Sequence, residues 1–308
     1  MAQVWAVADI GSNTAHLLVA VSDGRALVPL VDETSNLRLG GEVDRGGAIG
    51  PAKVDELIAT LRGFQDAARA AGAPELYCFA TEAVRAATNG EAVLAAVTAA
   101  TGLPVHLLPP EAEAALGYRG AVAGVPGAGL RAVVDIGGGS LQVIVGEGAA
   151  IRGSVSLPLG AARLVARFLP DDPPEAGDAA RLAAHLAAVI PPALPLRNQA
   201  ITALLGTGGT LRRLAAVRGW DAGRPLPGDA LDATVAWMRG LPAARLAAEA
   251  NLPVDRARMF LPALLAWREV WRGYHAPPLW VVPGGVREGA ILQLARAGLN
   301  ERGELRWP

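Results

Sequence analysis

Cysteine, lysine, aromatic residues and net charge are all scarce in this chain, and each shortage excludes something. The single cysteine, Cys78, cannot form an intramolecular disulfide, and its place in the apolar run Leu76–Ala80 marks it as a buried structural thiol. Lys53 is the only lysine among basic residues that are otherwise arginine. That preference reads as a composition bias toward Ala, Arg, Gly and Pro. A net charge of -1 supplies no global field for a polyanion, so any anionic ligand must be held locally, and a nucleic acid polymer is not an expected partner. The most apolar helical stretch, residues 182–196, carries His185 and three prolines. It falls short of the roughly 20 residues that span a bilayer, so no membrane association is expected. The chain enters a strand-like stretch, residues 4–9, with no basic segment followed by an apolar signal core, which fits a reducing cytoplasm. His16, His106, His185 and His275 show neither metal-ligand spacing nor a Ser or Cys partner motif, which argues against a zinc site or a catalytic triad. The tryptophans (Trp5, Trp220, Trp237, Trp267, Trp271, Trp280 and Trp307) have no regular spacing with basic residues and read as packing groups. No P-loop signature is present.

What remains is ample material for two cores: 308 residues, 52% of them hydrophobic, suggest about two domains. In residues 51–71, Val54, Leu57, Ile58, Leu61, Phe64 and Ala68 recur at helical spacing behind Gly50-Pro51, predicting a helix with one buried face. A strand over residues 76–80, a helix over 91–100, a strand over 105–108 and a helix over 111–122 continue the alternation. Such alternation predicts an α/β fold.

The chain also repeats itself. Asp9-Ile10-Gly11-Ser12-Asn13-Thr14 before Leu17-Leu18-Val19 is echoed by Asp135-Ile136-Gly137-Gly138-Gly139-Ser140 before Val143-Ile144-Val145. Each copy reads as strand, tight polar turn, strand, with small residues that let the backbone turn and leave consecutive N–H groups facing a ligand. One copy alone is equally an ordinary β-hairpin; two at corresponding places suggest two lobes, each carrying a phosphate loop. The lobes are expected over residues 1–120 and 121–308, the junction being marked by Gly124, Pro126, Gly127 and Gly129, with a helix near 286–298 packing back on the first lobe. A third turn, Gly206-Thr207-Gly208-Gly209-Thr210, opens a helical stretch and offers an anion site at its start. A fourth, Pro283-Gly284-Gly285, precedes Arg287 and Glu288.

Among the charged residues, Asp9 and Asp135 end strands before glycine turns, where a carboxylate either caps the turn or holds hydrated Mg²⁺. Glu113 begins a helix after Pro109-Pro110, where the helix dipole alone favours it. Arg85, in the segment from Thr81 to Asn89, is either a surface arginine or a bidentate phosphate clamp.

These motifs, together with Arg38-Leu39-Gly40, Tyr118-Arg119-Gly120 and Leu159-Gly160-Ala161-Ala162-Arg163-Leu164, resemble the exopolyphosphatase and guanosine pentaphosphate phosphohydrolase family over nearly the whole chain. The resemblance is to its short members, which lack further C-terminal helical domains. It implies two actin-like (ribonuclease H-like) lobes flanking a phosphate-binding cleft, and hydrolysis of a terminal phosphate from polyphosphate or guanosine pentaphosphate. Glu113 then falls at the catalytic glutamate, with Asp135 and Arg85 beside it in the chemistry. Gly11, Ser12, Asn13, Gly137, Gly138, Gly139 and Ser140 line the phosphate loops, and Gly208, Gly209 and Thr210 form the third. Mg²⁺, with Mn²⁺ as an alternative, falls to Asp9, Asp135 and Glu113, with Gln142 as a further candidate ligand, and a homodimer is implied. The family carries an acidic residue two positions after the serine of the second loop, where this chain has Gln142. That exchange implies weakened metal binding, and at its limit a slow or inactive sensor of polyphosphate or of the guanosine alarmone.

Overall fold

In the computed structural model, residues 2–221 and 223–306 are described, and Trp307 lies outside the described residues. The chain divides into two units, one reaching Ala123 and resuming at Val286, the other covering Gly124–Gly285. In the first, the elements run β1 (Gln3–Ile10), β2 (Thr14–Ser22), β3 (Leu27–Asn36), α1 (Leu39–Gly46), α2 (Pro51–Ala70), β4 (Leu76–Ala80), α3 (Glu82–Ala86), α4 (Gly90–Thr101), β5 (Val105–Leu107) and α5 (Pro110–Ala123). The sheet order is β3-β2-β1-β4-β5, with β1 antiparallel to β2 and parallel to β4.

Because side chains alternate across a strand, β1 feeds two layers. Ala6, Ala8 and Ile10 join a core with Leu57 and Leu61 of α2 and Val93 and Val97 of α4. Val7 points to the opposite layer, with Leu116 of α5. Burial on both faces explains why the strand reads as a nearly continuous apolar run.

The second unit repeats this plan: β6 (Leu130–Ile136), β7 (Leu141–Glu147), β8 (Ala150–Leu157), α6 (Ala161–Phe168), α7 (Ala176–Ala193), β9 (Ala203–Thr207) and α8 (Gly209–Arg218). Four helices are then inserted, α9 (Ala230–Met238), α10 (Ala243–Ala250), α11 (Val254–Ala257) and α12 (Phe260–Gly273), before β10 (Leu279–Val281). The sheet order is β10-β9-β6-β7-β8, the first unit's order with each strand replaced by its counterpart. Trp267 of α12 is fully buried and lies against β9 at Gly206, where a Cβ would overlap the indole. Among the described residues, no helix is long and apolar enough to cross a membrane.

The chain then re-enters the first unit. Helix α13 (Val286–Ala297) packs along α5 and onto β1, so the second unit ends at Gly285 and not at the C-terminus. The close crossing depends on Gly289, because a Cβ there would overlap the Leu116 carbonyl of α5. Gly289→Ala would ordinarily gain helix propensity of roughly 0.5–1 kcal/mol. Overpacking should instead destabilise the protein by about 1–3 kcal/mol in urea unfolding; an unchanged or raised midpoint would contradict this packing.

Candidate active site

The turn after β1 and the turn after β6 are built alike. The Gly11 N–H donates to the Thr14 carbonyl at 2.9 Å, and the Gly137 N–H donates to the Ser140 carbonyl at 3.0 Å. Each turn is braced from below by the start of the helix that follows the third strand. In the first, the Arg38 N–H donates to Asn13 O at 2.9 Å and the Gly40 N–H to Ser12 O at 2.8 Å. In the second, the N–H groups of Gly160, Ala161 and Ala162 donate to Gly139 O, Gly137 O and Gly138 O at 3.1, 2.8 and 3.1 Å. Helices α1 and α6 lack side-chain caps, so the turn carbonyls take up N–H groups that a helix start leaves unpaired. A Cβ on Gly160 would overlap the Gly138–Gly139 backbone, which accounts for glycine at this contact.

With the carbonyls committed inward, the N–H groups of Ser12, Asn13, Gly138 and Gly139 make no hydrogen bond within the described protein. They are donors available to an anion.

Arg85 and Glu113 are brought together within the first unit. The Arg85 guanidinium donates to Leu108 O at 2.6 Å and to Glu113 Oε2 at 3.4 Å, and the Glu113 side chain is only 12% exposed. Helix α3 positions Arg85 because Thr81 is tied to the end of β1, donating its N–H to Ile10 O at 3.1 Å. The Glu113 N–H donates to Pro109 O at 3.0 Å, which places the carboxylate in the first turn of α5.

Asp135 and Gln142 are direct partners across the β6–β7 ladder, as Asp9 and His16 are across β1–β2. Residues so paired share one face of a sheet. His16 is held by Thr14 and Thr34 hydroxyls at 2.7 and 2.9 Å. In the third turn, Gly208 has φ 94°, and a Cβ there would lie 2.6 Å from Asp135 Oδ1, so glycine keeps the backbone close to that carboxylate. The Thr207 hydroxyl donates to Gly284 O at 2.6 Å and Arg212 donates to Pro283 O at 2.8 Å, joining the third and fourth glycine turns. Arg212 follows β9 as Arg85 follows β4, and the motif reading had not singled it out.

Arg287, which follows the fourth glycine turn, has partners distant in sequence. Arg287 is buried, donating to Asp32 Oδ1 at 2.6 Å and to Leu17 O at 3.3 Å, with Glu288 Oε1 3.8 Å away. Burial works against its charge, but Glu288, Asp32 and Asp9 outweigh it and push its pKa up. Cys78 is buried, and burial together with the Asp9 charge pushes its thiol pKa up, as befits an inert packing group.

Two sheets of this order, each opening on a hairpin whose turn is braced by the next helix, define an actin-like (ribonuclease H-like) α/β fold. The Ppx/GppA phosphatase family matches residues 18–297. Exopolyphosphatase 1 of Mycobacterium tuberculosis is 35% identical over 299 residues, 93% of this chain and 87% of that protein. The Mycobacterium leprae protein of the same name is 31% identical over 304 residues, covering 93% and 88%. The crystal structure of the Aquifex aeolicus Ppx/GppA family member is 25% identical, with a TM-score of 0.82 over 95% of this chain and 97% of that one. The chain belongs to the Ppx/GppA phosphatase family, whose members are phosphoanhydride hydrolases that work with a divalent metal.

Asp9, Asp135 and Glu113 offer only hard carboxylate oxygens, as Mg²⁺ requires. Among the described residues no three His, Cys, Asp or Glu side chains form a metal cluster. A cation that keeps several waters and is completed by substrate phosphates fits one or two carboxylates. For the Arg287 group, Asp32 is 49% exposed on its side chain, so its loss is screened in part. Arg287→Met should cost about 1–3 kcal/mol. Equal urea midpoints for mutant and wild type at pH 7 would refute the role given to Arg287.

Proposed function

We propose that the protein is an exopolyphosphatase that releases terminal orthophosphate from inorganic polyphosphate, with guanosine pentaphosphate as a second substrate. The observation that carries this reading is the mostly buried Glu113 carboxylate, held by Arg85 at the start of α5. In this reading Glu113 accepts a proton from the water that attacks the terminal phosphorus. The bridging P–O bond breaks, and the products are orthophosphate and a chain one phosphate shorter. Arg85 orients Glu113 and, by its remaining N–H groups, binds phosphate oxygens. The N–H groups of Ser12, Asn13, Gly138 and Gly139 bind non-bridging oxygens, with Gly11, Gly137 and Ser140 shaping the turns. Gly208, Gly209 and Thr210 at the start of α8 bind a further phosphate. Phosphoryl transfer asks little more than such positioning and charge stabilisation. Asp9, Asp135 and Glu113 are the carboxylates that would hold Mg²⁺ or Mn²⁺, and the cation would neutralise phosphate charge. The names of the mycobacterial relatives support polyphosphate as the substrate. A cytoplasmic homodimer completes the reading; a monomeric sedimentation coefficient would remove the dimer.

Gln142 motivates a second reading, a protein that binds polyphosphate or the guanosine alarmone and hydrolyses it slowly or not at all. A glutamate at 142 would face Asp135 across the ladder at roughly 5 Å, an arrangement of like charges that a cation relieves. The amide removes both the repulsion and part of the attraction for metal.

Phosphate release from long and short polyphosphate and from guanosine pentaphosphate, with Mg²⁺ or Mn²⁺, separates the two. Glu113→Gln should lower kcat by about 10²- to 10⁴-fold with substrate binding retained, and Gln142→Glu should raise release and lower the metal concentration needed. Full activity in Glu113→Gln would sink the catalytic assignment. Binding by wild type without any release would favour the sensor.

A further inference from the structure

Within the first unit, at the N-terminal ends of β1, β4 and β5, lies a cavity of about 430 Å³. The Ser12–Asn13 turn, Arg85 and Glu113 follow the C-terminal ends of these same strands, so the cavity takes no part in the chemistry above. Its size falls within the roughly 300–1,000 Å³ typical of small-molecule sites.

The walls are mainly apolar, from Ala6, Leu76, Leu103, Leu294 and Leu299. One side is an aromatic platform: the Tyr77 and His106 rings stack with centroids 5.0 Å apart and planes 13° from parallel. His106 is half-buried, and its ring nitrogens make no hydrogen bond within the described protein. Burial lowers its pKa, only partly opposed by Glu304, so at neutral pH it is an uncharged imidazole with one donor and one acceptor. Arg69, Glu75 and Arg302 also line the cavity, and Arg69 already pairs with Asp66 at 3.2 Å. The charges nearly balance, so shape and hydrogen bonding select the occupant.

The fourth wall is the C-terminal turn. Asn300 Oδ1 accepts the N–H groups of Arg302 and Glu304 at 2.9 Å each, and Leu299 bridges Leu305. Gly303, at φ 73°, lies near the imidazole: a Cβ there would be 3.8 Å from His106 Cε1.

We propose that this cavity is a second binding site, for a small planar heteroaromatic compound about the size of two fused rings, with one hydrogen-bonding edge. The flat body packs on the Tyr77–His106 pair between apolar walls, and the polar edge meets the imidazole nitrogens.

Titration of the isotope-labelled protein with benzimidazole, indole and saturated cyclohexanecarboxamide, followed by NMR, tests this. The expected result is saturable shifts at Tyr77, His106 and Gly303 with benzimidazole and indole, at least tenfold weaker with the saturated amide. His106→Ala should weaken benzimidazole at least tenfold, whereas His106→Phe should keep indole and lose benzimidazole. Shifts absent from these residues at millimolar probe, equal affinity for the saturated amide, or undiminished binding in His106→Ala would each overturn the proposal. Binding is the readout, so the outcome is independent of whether polyphosphate is the substrate.

Discussion

The contact on which the rest depends is the seating of a helix start beneath a hairpin turn. Helices α1 and α6 begin without side-chain caps, and their first N–H groups, or those of their caps, are satisfied by carbonyls of the turns after β1 and β6. The exchange serves both parties: orphan donors at a helix start are costly, and a turn whose carbonyls are held inward must face its N–H groups outward. Small residues follow from it, since Gly40 lies close to Ser12 and Gly160 to Gly138 and Gly139. A pair of outward backbone N–H groups is a simple anion-facing arrangement, and the fold builds such a pair in each unit.

Duplication explains the shared framework, and divergence between the copies explains the chemistry. Asp9 faces His16, while Asp135 faces Gln142 at the same ladder position. Arg85 after β4 corresponds to Arg212 after β9, and Glu113 after β5 to Glu288 after β10. Within the first unit, however, Arg85 pairs with Glu113, whereas Glu288 is drawn toward Arg287 and the Asp32 group. One copy of the helix start therefore presents a carboxylate beside an arginine, whereas the other places its carboxylate beside the Arg287–Asp32 pair.

Much of this was legible in the residues. Periodicity placed α2 and β4 within a residue or two, because a buried stripe and an apolar strand leave local signatures. The two Asp-Ile-Gly turns were legible as a repeat, since a hairpin turn is encoded by adjacent residues. Glu113 was not separable from an ordinary helix-start carboxylate until the family resemblance singled it out. Arg287 could not be found locally, because its partner Asp32 lies 255 residues away in sequence. Gly206 reads as another phosphate glycine, yet it is demanded by the Trp267 indole. The return of α13 to the first unit rests on Gly289 meeting Leu116, a contact that no periodicity reports.

The most direct test is to follow the backbone amides of Ser12, Asn13, Gly138 and Gly139 by NMR while tripolyphosphate and Mg²⁺ are added to the Glu113→Gln protein. The account predicts that the Ser12–Asn13 pair and the Gly138–Gly139 pair each shift and saturate, as donors that bind phosphate. Saturable binding that moves other amides and leaves these four unchanged would contradict it.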